Sequence, residues 1–200
     1  MMLQQLTSAK RVSIIAITAA LYAVFFFISY SVAVPGFALL YLPIILLGVF
    51  PIWFGWNGLA GAIIGAFIGG AFIEGLGFLG FFESIVALMI YGINWALIPR
   101  MAAENGNKKN LLFLGCVYAL SLLVGTAYII WQYTILPQLF NVSQAPLIFA
   151  STFALNLPVV LIACPALIRA ISPRMRAWGI YAGGLAEIRS QKAQNQAKQP

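Results

Sequence analysis

The sequence predicts an all-α integral membrane protein with six membrane-spanning helices, and three observations support this fold class. Of the 200 residues, 62% are hydrophobic and only 8% are charged, whereas soluble domains carry about 25% charged residues. No Lys or Arg occurs between residues 12 and 99, and none occurs between residues 110 and 168. Because a membrane span needs roughly 20 apolar residues, each of these two stretches is long enough for several helices.

The individual helices follow from the apolar runs and from the turn residues between them. Residues 34–36 (Val-Pro-Gly) end the first run, residues 54–58 (Phe-Gly-Trp-Asn-Gly) separate the second from the third, and the polar segment 104–109 separates the fourth from the fifth. Pro43 and Pro51 lie in the second run, where a kink is expected. We therefore expect helices at about 12–34, 37–54, 58–74, 82–103, 110–134 and 147–171.

The basic residues predict the orientation of these helices. They form clusters before helix 1, between helices 4 and 5, and after helix 6: Lys10 and Arg11; Arg100, Lys108 and Lys109; Arg169, Arg174 and Arg176. With six helices all three clusters fall on one side, which the positive-inside rule assigns to the cytoplasm. We therefore expect a cytoplasmic N-terminus (residues 1–11), a membrane domain (12–172) and a basic, largely disordered cytoplasmic tail (173–200).

Missing residue types narrow the possible chemistry. The chain contains no His and no Asp, which removes the usual zinc sites and Ser-His-Asp triads. It also lacks the Gly-x-x-x-x-Gly-Lys-Ser/Thr phosphate loop. We expect no metal, no other cofactor and no catalytic residues. In the long apolar stretches the only acidic residues are Glu74 and Glu83, which flank a glycine-rich turn.

Polar and aromatic residues converge on the outer half of the predicted bundle, a composition typical of a small-molecule pocket. The candidate substrate-binding residues are Glu74, Glu83, Tyr128, Trp131, Gln132, Tyr133 and Asn156. Other roles stay open: an interfacial belt for Trp131 and Tyr133, an interhelical hydrogen bond for Asn156, and a loop anchor or helix-dipole charge for the glutamates. Carboxylates and aromatic rings without a cation favour a neutral or cationic aromatic heterocycle over an anion.

Two predicted helices carry small residues at helical spacing: Ala16, Ala19, Ala20 and Ala23 in helix 1, and Gly61, Gly65 and Gly69 in helix 3. Small residues at every fourth position let helices approach closely. For the glycines this spacing predicts packing within the bundle. The spacing of the alanines predicts one common face, which suits either internal packing or a partner.

The chain resembles the substrate-binding S-components of the energy-coupling factor (ECF) vitamin transporters over about residues 9–172. The resemblance rests on the Ala-x-x-x-Ala pattern within residues 16–20, on residues 42–48 (Leu-Pro-Ile-Ile-Leu-Leu-Gly), on the turn at 54–62 that leads into a glycine-rich helix, and on six helices in about 200 residues.

This resemblance implies a non-catalytic subunit that captures a vitamin or a precursor from outside the cell and topples in the membrane to release it. Ala16 and Ala20 match the docking motif for a transmembrane coupling subunit, and Ala19 and Ala23 extend that face. Two partner ATPases hydrolyse ATP, and the location is the plasma membrane of a prokaryotic-type cell. The family's substrate residues vary, so none is transferred, although thiamin-, riboflavin- or purine-like compounds suit the candidate pocket.

Two other classes of protein remain as alternatives. A stand-alone secondary carrier or a scaffold for another complex would have a similar composition, but such carriers often contain two repeated halves, and no convincing repeat relates helices 1–3 to helices 4–6. An intramembrane enzyme could use Glu74 and Glu83 as acid and base, but no nucleophile or metal-binding set accompanies them.

Overall fold

The computed structural model describes residues 7–31, 40–73, 77–98, 107–136, 143 and 145–182. Most of these residues belong to α1 (Ser8–Ser31), α2 (Pro43–Ile73), α3 (Gly77–Leu97), α4 (Lys108–Ile135), α5 (Ala145–Ser151), a π-helical turn (Thr152–Asn156) and α6 (Leu157–Ala177). Within the described residues, five runs are long and apolar enough to cross a membrane: Ser8–Ser31, Pro43–Phe72, Gly80–Leu97, Lys108–Ile135 and Ala145–Ala177. The chain is a helical, multi-pass membrane protein.

The main difference from the six predicted helices lies in α2. The helices expected at 37–54 and 58–74 form a single helical run, in which Gly55 departs from helical geometry with φ 51° and ψ −128°. By length and composition the described residues therefore contain five candidate spans, because α2 joins two of the six predicted helices. Pro43 begins the run and Pro51 lies inside it. The break falls at Gly55 because glycine adopts a positive φ without steric strain.

The chain reverses direction at this break. A straight helix of 31 residues would extend about 46 Å, yet both ends of α2 lie beside the C-terminal half of α1. At one end the backbone N–H of Leu42 donates to the Ser29 hydroxyl at 2.9 Å. At the other end, a Cβ added to Gly69 would come within 2.8 Å of the Phe26 ring. The two legs of α2, residues 43–54 and 56–73, therefore run in opposite directions.

The first leg of α2 forms the centre of the bundle, because its residues are buried or half-buried throughout. Pro51 has no N–H, so the Leu47 carbonyl four residues earlier lacks its helical donor. The Asn94 side-chain amide on α3 donates to that carbonyl at 3.1 Å, and the Tyr91 hydroxyl donates to the Gly55 carbonyl. Side chains of α3 thus satisfy backbone acceptors in an apolar interior, where an unpaired group is costly.

The second leg of α2 packs along α1 through Gly61, Gly65 and Gly69, a row that we call the glycine seam. A Cβ added to Gly65 would lie 2.5 Å from the Ala19 carbonyl oxygen, and one added to Gly61 would collide with the Thr18 side chain. The two backbones approach this closely because the glycines have no side chains. The prediction that these glycines pack within the bundle is confirmed.

The last helix continues beyond its predicted end. The sequence predicts a helix at 147–171 and a tail from residue 173, whereas α6 extends to Ala177. The Trp53 indole N–H donates to the Ser172 hydroxyl at 3.1 Å. The Ala182 N–H donates to the Trp53 carbonyl at 2.8 Å. These bonds hold the beginning of the predicted tail against the break in α2.

The other helix boundaries differ from the predictions by a few residues. The predicted helices at 12–34, 82–103 and 110–134 correspond to α1, α3 and α4, which begin at Ser8, Gly77 and Lys108. The N-terminal residues 1–6 and the tail from residue 183 lie outside the described residues.

Candidate functional site

A pocket lies at the end of the bundle where α1 ends and α2 begins. The space between its walls is about 810 Å³ when it is counted out through the open mouth into solvent. The lining residues come from α1, α3, α4, α5, the π-helical turn and the start of α2: Tyr30, Tyr41, Ile44, Phe82, Glu83, Val86, Ile90, Leu122, Gly125, Thr126, Ile129, Gln132, Tyr133, Ile148, Ser151, Thr152 and Asn156.

One face of α4 supplies much of the wall. Its lining residues recur at steps of three and four: Leu122, Gly125, Thr126, Ile129, Gln132 and Tyr133. This spacing places them on one side of a helix. A Cβ added to Gly125 would lie 2.6 Å from the Ile90 side chain, so the glycine lets α3 approach α4 closely beside the pocket.

Glu83 contributes a carboxyl group to the wall from α3, where it is half-buried. It is the only acidic residue among the described lining residues, and none of them is Lys or Arg. Burial, followed by the neighbouring Tyr22 and Glu83, raises the pKa of Tyr41 well above its ordinary value. Tyr41 therefore remains a neutral hydroxyl in the same wall as Glu83. Contact of Glu83 with a substrate stays a prediction.

Gln132 contributes a donor to the wall from α4. Only 4% of its surface is exposed, and its Nε2 atom has no hydrogen-bond partner among the described residues. Buried polar groups are nearly always paired, and an unpaired one costs about 1–3 kcal/mol. The adjacent Tyr133 is also buried and packs with Ile148. Gln132 therefore brings to the pocket wall a buried donor for which the described residues supply no acceptor.

Asn156 connects the wall to the start of α2. Its Oδ1 atom accepts a hydrogen bond from the backbone N–H of Tyr41 at 2.7 Å, and its Nδ2 donates to the Ser151 carbonyl at 3.5 Å. The hydroxyls of Tyr41 and Tyr22 lie 2.7 Å apart. Asn156, which also lines the pocket, thus bonds to Tyr41 in the segment before α2, and the interhelical bond considered for it stays a prediction. It sits at the end of the π-helical turn (Thr152–Asn156), a distortion that frequently marks functional sites.

Not all predicted pocket residues meet at this site. The structure brings together Glu83, Gln132, Tyr133 and Asn156. Tyr128 and Trp131 are absent from the wall; their rings pack on each other with centroids 5.5 Å apart, and half of Trp131 is exposed. Glu74 lies outside the described residues.

Several lining residues were missed by the sequence-based prediction because they are apolar, small or weakly polar. Four of them are polar or aromatic and fall in the outer half of the predicted bundle: Tyr30, Tyr41, Ser151 and Thr152. Their depth and polarity could therefore have identified them as pocket residues. The others carry no such signal: Ile44, Phe82, Val86, Ile90, Leu122, Gly125, Thr126, Ile129 and Ile148.

The four alanines of α1 do not share one exposed face. Ala16 and Ala20 are exposed, whereas Ala19 and Ala23 are each only 8% exposed. Because each residue of a helix turns by about 100°, the four alanines lie within an arc of about 100° around the axis of α1. The boundary between the buried and the exposed side of α1 runs through this arc. The bundle itself covers Ala19 and Ala23, whereas Ala16 and Ala20 remain accessible, and docking of a partner on this helix stays a prediction.

The fold and the pocket together define a class: a helical, multi-pass membrane protein with an open, mostly apolar pocket at one end. Among the described residues, no group of three or more His, Cys, Asp and Glu side chains could hold a metal ion. Comparison of the chain with protein-family models, curated proteins and solved structures finds no match.

Proposed function

We propose that this protein is the substrate-capture subunit of an ECF-type transporter and binds a vitamin or a related small molecule in the pocket. The observation that carries the proposal is the pocket itself, with polar groups from α3, α4 and the π-helical turn around a largely apolar cavity. Such cavities with a few convergent polar groups are the usual form of a small-molecule site.

We infer six passes, with both termini on the cytoplasmic side. The reversal of α2 at Gly55 supports this count, because its two legs run in opposite directions. Lys10 and Arg11 lie at the N-terminal end of α1, and Arg174 and Arg176 lie in the last turn of α6. The positive-inside rule favours a cytoplasmic location for both ends. The pocket is at the other end of α1 and would open to the outside of a plasma membrane.

The exposed part of α1 supports a role for a membrane-embedded partner. Ala16 and Ala20 lie on its exposed surface, beside large exposed residues such as Val12 and Ile17. Small residues in such a surface allow another helix to approach closely. The proposed partner is a transmembrane coupling subunit, driven by two ATPase subunits.

The lining chemistry favours a neutral or cationic aromatic heterocycle as the substrate, for example a thiamin-like compound. Tyr30, Tyr41 and Tyr133 provide rings, Glu83 provides the carboxyl group, and none of the described lining residues is Lys or Arg. Aromatic faces and a carboxylate attract cations, whereas a free anion needs a cationic or helix-end partner.

Co-expression with an ECF coupling module, followed by co-purification and vitamin uptake, tests the proposal. The double change Ala16→Leu and Ala20→Leu should abolish co-purification and uptake but leave folding and ligand binding intact, because both residues are exposed. The matched control is Ala127→Leu, since Ala127 is exposed on α4. It should leave co-purification and uptake unchanged.

Two outcomes would contradict the proposal. If the unchanged protein does not co-purify with any coupling module, the S-component role is rejected. If the protein alone supports uptake at the same rate with and without the module, the stand-alone carrier becomes the better assignment.

A further inference from the structure

Two polar side chains from different helices give the pocket opposite hydrogen-bonding character. Glu83 on α3 presents carboxyl oxygens, which accept hydrogen bonds when the group is ionised. Gln132 on α4 also lines the pocket and carries a buried amide nitrogen, which only donates and has no partner among the described residues. A molecule that contacts both groups has to offer a donor to one and an acceptor to the other, which restricts its chemistry.

The unsatisfied donor is the stronger of the two constraints. Gln132 is 96% buried, since only 4% of its surface is exposed, and its Nε2 has no acceptor among the described residues. A site that contains a buried unpaired donor discriminates strongly against a ligand without an acceptor, because the donor then stays unpaired in the complex. The ligand is therefore expected to supply the missing acceptor.

The carboxyl group sets the charge of the ligand. Glu83 is the only acidic residue among the described lining residues, and no Lys or Arg accompanies it there. The described lining residues offer no Lys or Arg to a ligand carboxylate or phosphate, and the ionised Glu83 would repel it, which disfavours its binding. An N–H or a cationic group on the ligand would instead form a charge-assisted hydrogen bond with Glu83.

Building on the proposed capture role, we propose that the pocket binds a neutral or cationic ring compound that presents an N–H or cationic group to Glu83 and a hydrogen-bond acceptor to Nε2 of Gln132. The rings of Tyr30, Tyr41 and Tyr133 in the wall suit a planar ligand. In this assignment Gln132 binds the acceptor of the ligand, and Glu83 binds its donor and disfavours anionic ligands.

Calorimetry on the purified full-length protein in detergent, after extensive ligand exchange, tests this assignment. The neutral or cationic probes are thiamin, riboflavin, adenine and nicotinamide, and the anionic probes are biotin, pantothenate and nicotinate. The nicotinamide–nicotinate pair isolates the effect of a carboxylate on the same ring. We expect the tightest probe to come from the first group and all anionic probes to bind at least about tenfold more weakly.

Variants at the two recognition residues identify the groups responsible. Gln132→Met removes the donor at similar volume and should weaken the tightest probe by at least about fivefold. Gln132→Glu, a second variant of nearly the same shape, replaces the donor with an acceptor and should weaken it at least as much. Glu83→Gln should weaken a cationic probe more than a neutral one. Trp131→Phe is the control and should have no effect, because Trp131 does not line the pocket.

The assignment is overturned if an anionic probe binds most tightly, if no probe binds, or if both Gln132 variants bind the tightest probe as the unchanged protein does. Co-purification with the coupling module is measured on the same preparations and separates the two proposals. Module-dependent uptake of biotin or pantothenate would reject the ligand assignment alone. Heterocycle binding without association with a module would reject the capture role alone.

Discussion

Replacing Gly65 with Ala tests the glycine seam between α1 and α2. An added Cβ would lie 2.5 Å from the Ala19 carbonyl oxygen and 2.7 Å from Cβ of Tyr22. Ordinary contacts of a Cβ atom begin near 3.4 Å, so the two helices would have to separate locally by about 0.9 Å. Neither neighbouring atom can move away by a change of rotamer, because one belongs to the backbone and the other is a Cβ.

We expect Gly65→Ala to lower the free energy of unfolding by about 1–3 kcal/mol, the usual penalty for overpacking. This loss should appear although alanine has the better helix propensity, by about 1 kcal/mol. The matched control is Gly92→Ala in α3, where an added Cβ would meet nothing within 4 Å. That variant should be as stable as the unchanged protein or slightly more stable.

Thermal unfolding in detergent, followed by size-exclusion chromatography, measures the difference between these variants. For a chain of this size, 1 kcal/mol corresponds to a Tm change of about 2–4 °C. If Gly65→Ala is as stable as the unchanged protein, or if Gly92→Ala is the less stable of the two, the close approach of the helices at the seam is refuted.

Two further predictions concern the bonds and the topology at the end of the bundle that holds the pocket. Because the hydroxyls of Tyr22 and Tyr41 lie 2.7 Å apart and Tyr22 is fully buried, Tyr41→Phe should cost about 1–3 kcal/mol. Adding Tyr22→Phe should recover part of this loss in thermal unfolding, since no buried hydroxyl is then left unpaired; a double variant as unstable as the two single losses combined would contradict this. Phe26→Cys together with Gly69→Cys, in a chain whose native cysteines are replaced, should form a disulfide under oxidation, because the added Cβ at residue 69 would lie 3.1 Å from Cβ of residue 26, near the usual Cβ separation of about 3.5–4.5 Å. Absence of this cross-link from native membranes would argue against the reversal of α2.

The helical fold could be predicted from the sequence because membrane spans need long apolar runs, and their ends are marked by polar and turn residues. The turn expected at 54–58 contains Gly55, where the helix breaks. Trp56, Asn57 and Gly58 are already helical in the structure. The sequence could not show that a single glycine would suffice, because the tertiary contacts with α1 determine how the two legs of α2 fold back.

The pocket was only partly predictable because depth in the membrane was inferred and direction around the helix axis was not. Gln132 and Tyr133 follow Gly125, Thr126 and Ile129 on one face of α4. Tyr128 and Trp131 lie at the same depth but on other sides of the helix. If one pocket-facing residue of α4 were known in advance, the helical period would separate the lining residues from Tyr128 and Trp131.

The dual role of Asn156 depends on long-range structure. Its partner Tyr41 is 115 residues away in the sequence, and the π-helical turn beside it has no recognised sequence signal. Similarly, the spacing of Ala16, Ala19, Ala20 and Ala23 defines an arc on α1 but does not show where the neighbouring helix covers it. In both cases the missing information is which helices are neighbours.

The glycine seam has a consequence for how such a protein can diversify. Its fit depends on backbone atoms and missing side chains, and none of the described lining residues of the pocket comes from the leg 56–73. Gln132 and Glu83 lie on other helices, α4 and α3, and neither belongs to the seam between this leg and α1. Ligand preference can thus change during evolution through a few side chains of the pocket wall, while the packing at the glycine seam is retained.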